Sequence, residues 1–257
     1  TQGVSSAASD VYKRQLQKIE ASPVLENAMT VDLLVNQPAE KIKFTAPDVS
    51  ERINERIYKS LHAFFSKHPH ARIFGEDIEN NNSFNPQPYG GAFKVTKDMS
   101  NLFAGRVHNT SISEAGITGM GIGMALAGDP TIIEIMFGDF STLIVDQLLQ
   151  QASKVQGMYG KKLPLPFLLR TPMGGKRGYG PTHSQSYERL FMGVPYLNII
   201  AINKRIDPFE VYSGLFNDFT TATLVIENKI DYAQYLNSPT IGTHEYSITT
   251  EQYPSLI

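Results

Sequence analysis

Cysteine is absent from all 257 residues, which excludes disulfides and thiolate chemistry and leaves the redox compartment open. The formal net charge is -2, so no basic excess argues for a nucleic-acid partner. No apolar run approaches the ~18 residues that would suggest a membrane span. No basic segment followed by an apolar one opens the chain, so no signal peptide is visible. The expectation is a soluble protein of the bacterial cytoplasm or the mitochondrial matrix, with no nucleic-acid or membrane partner. Two nucleotide-binding signatures are also missing. The glycine-rich stretch 170–185 lacks the Walker ending in Gly-Lys-Ser/Thr, so a phosphate cradle is weakly supported. Gly119, Gly121 and Gly123 are spaced wrongly for G-x-G-x-x-G. No acid stands at the offset that a dinucleotide site requires, and Glu134 sits inside a strand.

What is present suffices for one large domain with a proper core, or two small ones, since 41% of residues are apolar and 19% charged. Residues 1–45 show little periodicity and read as a poorly structured or non-native segment. After Pro47-Asp48 the pattern firms. Ile53, Ile57, Leu61 and Phe64/Phe65 recur at helical steps with charges between them, predicting an amphipathic helix that ends near His68-Pro69. Residues 72–77 read as a short strand meeting a turn, and 79–88 as loop. A helix is expected over 92–103 and a strand over 106–108. Further strands are expected over 131–137, 165–170, 198–202 and 223–227. Between them fall a helix over 141–157, with Leu143, Ile144, Leu148, Ala152 and Val155 inward, and one over 208–217. Near-continuous apolar strands separated by helices predict an α/β fold: three-layer, doubly wound, mainly parallel, with helices on both faces. In such sheets ligands bind outside the carboxyl ends of the strands. The loops after Met136, Arg170 and His108 therefore matter most.

One stretch organises the rest. Residues 110–128 open with Ser and Thr suited to capping a helix, then carry Glu114, then fourteen uncharged residues. Five glycines in a helical segment are costly, about 1 kcal/mol each relative to alanine, so close backbone approach is expected to offset them. Gly119, Gly123 and Ala127 fall on one helix face. The segment is either a capped packing helix or the seat of a carboxylate that shares a proton with a ligand. Phe140, just past the third strand, is either core or a platform for a planar ring. His183, at the end of the glycine-rich loop, is either a structural or solvent-facing histidine or a catalytic group at a strand's carboxyl end.

Taken in order, Gly75-Glu76-Asp77, Gly90 through Thr96, Thr110 through Gly116, Glu134 through Phe140, Asp146-Gln147, Arg170-Thr171-Pro172 and His183-Ser184-Gln185 resemble one family. It is the beta subunit, or the beta half of a fused chain, of the decarboxylating first component of 2-oxo acid dehydrogenase complexes. The similarity runs from Ile73 to Glu227, over the pyrimidine-binding domain shared with transketolases. The resemblance implies thiamine diphosphate as cofactor. Glu114 matches the glutamate that hydrogen-bonds the aminopyrimidine nitrogen, Phe140 the stacking aromatic, Ile112 a backbone contact to the ring. His183 matches the histidine near the substrate, while Arg170 fits the pattern without an assigned role. The implied activity is oxidative decarboxylation of a 2-oxo acid with acyl transfer to a lipoyl group. Transketolase-type carbon–carbon transfer and a non-catalytic assembly role are the alternatives.

Departures shape the expectation. The family holds magnesium and diphosphate on a partner domain carrying Gly-Asp-Gly and a downstream Asn, a motif this sequence lacks. No metal ligand is therefore expected in this chain. The implied partners are a diphosphate-binding alpha subunit or domain and a lipoyl-bearing acyltransferase, in an oligomer. Residues 46–230 are expected to form the pyrimidine-binding domain, and 231–257 the start of a linker to a missing C-terminal domain. Such a fragment is expected to be inactive alone. Asp139 stands where the family often has Asn.

Overall fold

Isoleucine, leucine and phenylalanine at three- and four-residue steps build the helix expected after Pro47-Asp48, as the periodicity requires. In the computed structural model, α1 spans Ile53–Lys67 and buries Ile53, Ile57, Leu61, Phe64 and Phe65. Its first turn is closed by Glu55, whose carboxylate accepts the Arg52 amide hydrogen at 3.0 Å. The structure describes residues 50–80, 89–161, 163–204 and 207–236, together with residue 17. The expected N-terminal segment therefore lies almost wholly outside the described residues, as do residues 237–257 of the expected linker. All elements described below belong to the unit Asn36–Ile257.

Six strands form one sheet: β1 Arg72–Gly75, β2 Val107–Asn109, β3 Thr131–Glu134, β4 Phe167–Met173, β5 Asn198–Ala201 and β6 Thr223–Asn228. Their order is β2-β1-β3-β4-β6-β5, and every pairing is parallel. Parallel neighbours need crossovers, and these clothe both faces. Alternate side chains serve opposite layers. Ile73, Ile132, Leu168 and Val225 join α1 and the helix α5 (Pro208–Asn217) in one core. Ile133, Leu169, Leu224 and Ile226 join the glycine-rich helix in the other. The three-layer parallel architecture is as expected.

Four local expectations are corrected. The helix expected over 92–103 survives only as α2, Met99–Leu102. Gly90, Gly91, Lys94 and Lys97 all take positive φ, so the chain turns repeatedly where a helix was foreseen. At Gly90 a Cβ would lie 2.5 Å from the Lys97 backbone nitrogen, which leaves room only for glycine. The helix expected over 141–157 breaks into a 3-10 segment (Gly138–Ile144), a π segment (Gln147–Ala152) and α4 (Val155–Tyr159). Changes of pitch defeat a 3.6-residue reading, and Leu143, expected inward, is 55% exposed while Ile144, Leu148, Ala152 and Val155 are buried. β3 ends three residues early, at Glu134. β4 runs three residues past Arg170, through Pro172. That proline is tolerated because β3 pairs with β4 only as far as Arg170, so no ladder partner waits for its missing N–H.

The glycine-rich helix, α3, spans Glu114–Leu126. Gly121 accounts for the expected close approach. A Cβ there would sit 2.6 Å from Ile133 Cδ1 on β3. The stripe of Gly119, Gly123 and Ala127 points elsewhere. A Cβ at Gly123 would meet nothing within 4 Å, and Ala127 is exposed. Ser113 takes the cap position, but its side chain makes no capping hydrogen bond.

Candidate functional site

The carboxyl ends of β1, β3, β4 and β6 converge on one edge, and the charged residues placed there follow from where each strand stops. Glu114 begins α3 just after β2. It is buried, 6% exposed, and makes no hydrogen bond or ion pair with the described residues. The adjacent acid is Glu76, at the end of β1. Burial, then the charges of Glu114 and Asp77, push the Glu76 pKa up. Ile112, in the turn before α3, leaves its side chain 83% exposed.

Phe140 lies in the 3-10 segment that leaves β3, and α3 packs against that segment. The structure brings Phe140 and His183 together. Their rings meet edge to face at 5.2 Å and 78°. Phe137 completes the trio, 4.7 Å from the His183 ring and 5.8 Å from Phe140, again edge to face. Such T-shaped pairs are each worth about 0.5–1.5 kcal/mol beyond burial. Thr182 Oγ1 lies 2.8 Å from His183 Nδ1. Glu114 stands apart from this trio and shares no hydrogen bond or ring contact with it among the described residues. The link between them is α3 itself, which carries Glu114 on its first turn and rests on the segment holding Phe140.

Beneath the trio lies a lysine that the sequence reading passed over. Lys229 follows β6, and its side chain is wholly buried. Its ammonium donates to the His183 carbonyl, stands 3.8 Å from Asp139 Oδ2 and lies 5.1 Å from the Phe137 ring centre. Burial lowers its pKa, Asp139 opposes that shift, and Arg177 adds to it. Asp139 Oδ1 accepts the Gln185 amide hydrogen at 3.2 Å. The available signal was a lysine directly after a closing apolar strand, on the same edge as the other candidates.

Arg170, matched without a role, lies within β4 rather than in a loop. It is 1% exposed and bridges two buried acids, Glu134 on β3 and Glu227 on β6. Its Nε reaches Glu227 Oε1 at 3.2 Å, and its Nη2 lies 3.1 Å from the Tyr232 hydroxyl. Tyr212 and Tyr232 both donate to Glu227. Burial raises the Glu134 pKa, Arg170 counters it, and Glu227 adds to the rise. Burial works against the Arg170 charge, but Glu134 and Glu227 outweigh it and hold its pKa well above the usual value. One cation between two carboxylates pins three neighbouring strands, β3, β4 and β6. Among the described residues no group of three or more acids and histidines could hold a metal ion, and no helix is long and apolar enough to cross a membrane.

Comparison with known proteins bears out the family resemblance. The chain is 28% identical over 183 residues to "Pyruvate dehydrogenase E1 component subunit beta-1, mitochondrial" of Arabidopsis thaliana, covering 71% of this chain and 48% of that protein. It is 32% identical over 163 residues to "2-oxoisovalerate dehydrogenase subunit beta 2, mitochondrial" of the same organism, covering 61% and 43%. A solved structure described as "Split gene transketolase, inactive beta4 tetramer" aligns at a TM-score of 0.48 and 15% identity, over 68% of this chain and 50% of that one. The chain thus spans about half the length of the curated relatives it matches. Residues 54–234 match the family described as transketolase, pyrimidine binding domain, and the chain belongs to that family.

Proposed function

We propose that this chain contributes the pyrimidine-binding half of a thiamine diphosphate site in a 2-oxo acid dehydrogenase. The observation that carries the reading is Glu114, an acid only 6% exposed on the first turn of α3 that makes no hydrogen bond with the described residues. Its carboxylate oxygens are not among the described buried polar atoms without a partner, so they keep access to solvent, where a ligand offering a hydrogen-bonding ring nitrogen would meet them. The residues present fit that ligand. Glu114 would face the ring nitrogen and share a proton with it. Phe140, half-buried and already edge-on to His183, would offer its open face to the ring. The backbone at Ile112, whose side chain lies in solvent, would contact the same ring. Thiamine diphosphate supplies, when bound, a nucleophilic carbon able to decarboxylate a 2-oxo acid.

The chain's own residues divide the remaining work. Glu114 holds and releases a proton at its carboxyl oxygens. His183, half-buried on the aromatic pair with Nδ1 beside Thr182, would offer Nε2 to the substrate. The acceptor for the acyl group would be a lipoyl arm of an acyltransferase component. The diphosphate and its magnesium would be held by an alpha subunit or domain, in an oligomer. The compartment would be the bacterial cytoplasm or the mitochondrial matrix. The relatives' names favour dehydrogenase chemistry over carbon–carbon transfer.

The test is reconstitution with a diphosphate-binding alpha chain, thiamine diphosphate, magnesium and pyruvate or a branched 2-oxo acid. Carbon dioxide release that drops at least a hundredfold in Glu114→Gln supports the reading, in line with loss of a general acid–base group. Undiminished release in that variant defeats it.

A further inference from the structure

We propose that Lys229 is a positioning residue for His183, acting with Asp139 as a buried latch on the turn that carries the imidazole. This deepens the reading above, since it rests on His183 facing the substrate. Residues 176–182 are exposed, and besides the latch the turn is held by the Gly174 amide donating to the Gln185 carbonyl, Arg177 donating to the Lys229 carbonyl and the Tyr179 and His183 rings on Phe137. The latch grips it twice. The Lys229 ammonium donates to the His183 carbonyl, and Asp139 Oδ1 accepts from the Gln185 amide, two residues on. Both anchors are rooted in the sheet. Asp139 follows β3 in the 3-10 segment, and the Lys229 amide donates to the Met173 carbonyl at 3.1 Å, tying the ends of β6 and β4.

The chemistry of the lysine argues for a role beyond filling space. Burying an ammonium is costly, and a methionine would occupy the same volume without that cost. Here the ammonium is only partly repaid by charge. Asp139 Oδ2 is 3.8 Å away and has no hydrogen-bond partner among the described residues, so the contact is ionic and not a hydrogen bond. Arg177, whose Nη1 donates to the Lys229 carbonyl at 2.7 Å, adds a second positive charge nearby. What the ammonium does gain is a charge-assisted hydrogen bond to the backbone of His183 and a seat over Phe137, the ring against which the imidazole leans. One cation therefore sets the imidazole's height through its carbonyl and braces one ring beneath it.

The test reads His183 directly, in the 257-residue chain without cofactor or partner. The His183 ring resonances, assigned by their loss in His183→Gln, should show ring-current shifts from Phe137 and Phe140. In folded Lys229→Met those shifts should collapse toward the values of a free histidine. Carbethoxylation of His183 by diethylpyrocarbonate should quicken about tenfold or more, the expected loss for one charge-assisted hydrogen bond. Lys229→Arg should restore much of both. If Lys229→Met does not fold, Asp139→Ala reads the same signals through the second anchor. Unchanged shifts and unchanged reactivity in whichever variant is folded overturn the latch. In the reconstituted enzyme Lys229→Met should lower kcat about tenfold with KM little changed. Carbon dioxide release absent from the unmutated complex, with the resonance changes intact, would instead defeat the thiamine reading and leave the latch standing as a purely structural clamp on His183.

Discussion

Arg170→Met should unfold the domain more easily than any single substitution on its surface. Among the described residues the guanidinium is the sole cation paired with Glu134 and Glu227, both buried, and Glu134 has no other ion-pair or hydrogen-bond partner. Removing one member of a buried pair costs about 3–5 kcal/mol. Glu227 keeps the Tyr212 and Tyr232 hydroxyls, so most of the loss falls on Glu134. That acid can reduce the loss by taking a proton, because burial already raises its pKa and only Arg170 holds it down. The cost is therefore expected near the low end, about 3 kcal/mol at pH 7.5, and smaller at pH 5. Against a typical total of about 5–15 kcal/mol that is a large fraction. In urea it corresponds to a midpoint shift of about 1 M or more. Unfolding followed by circular dichroism at both pH values measures it. A loss under about 1 kcal/mol at pH 7.5, or equal losses at the two pH values, refutes the claim that one cation holds two buried acids. Glu134→Gln is the companion. It leaves Arg170 paired one to one with Glu227, so its cost should stay within about 1 kcal/mol.

The remaining expectations concern other joints of the fold. Glu76 and Glu134 have folded pKa values above their unfolded ones, so between the two values the unfolded chain ionises first and gains on the folded one. Stability should decline as pH rises above the ordinary carboxylate range, and urea midpoints of Glu76→Gln across that range should show a flatter decline. Gly121→Ala drives a methyl into Ile133 and should cost about 1–3 kcal/mol, whereas Gly123→Ala meets open space and should gain about 1 kcal/mol; thermal unfolding of the pair decides it. Asp207 caps α5 through the Phe209 amide at 2.9 Å and also accepts from both Arg56 Nε and Nη2 on α1. Asp207→Ala should lose about 2–4 kcal/mol, read as a urea midpoint, because a cap and a buried charge-assisted bond go together.

Much of this molecule was legible in one dimension. The apolar steps of α1 and the unbroken strands around Ile132, Leu168 and Leu224 follow from burial alone, since period and composition report which side of an element meets water. The glycine-rich run, Glu114, Phe140 and His183 were recognisable as an ordered set, because short motifs at strand ends survive without knowledge of the fold. Tertiary structure decided the rest. Only the fold shows that Gly121 touches the sheet while Gly123 does not, because the two lie on different faces of α3. Only the fold unites Arg170, Glu134 and Glu227, which come from three strands, and sets Lys229 beneath a histidine 46 positions earlier in the chain. Charge pairing of this kind depends on distance in space, and a parallel sheet makes neighbours of residues whose separation in sequence carries no period to read.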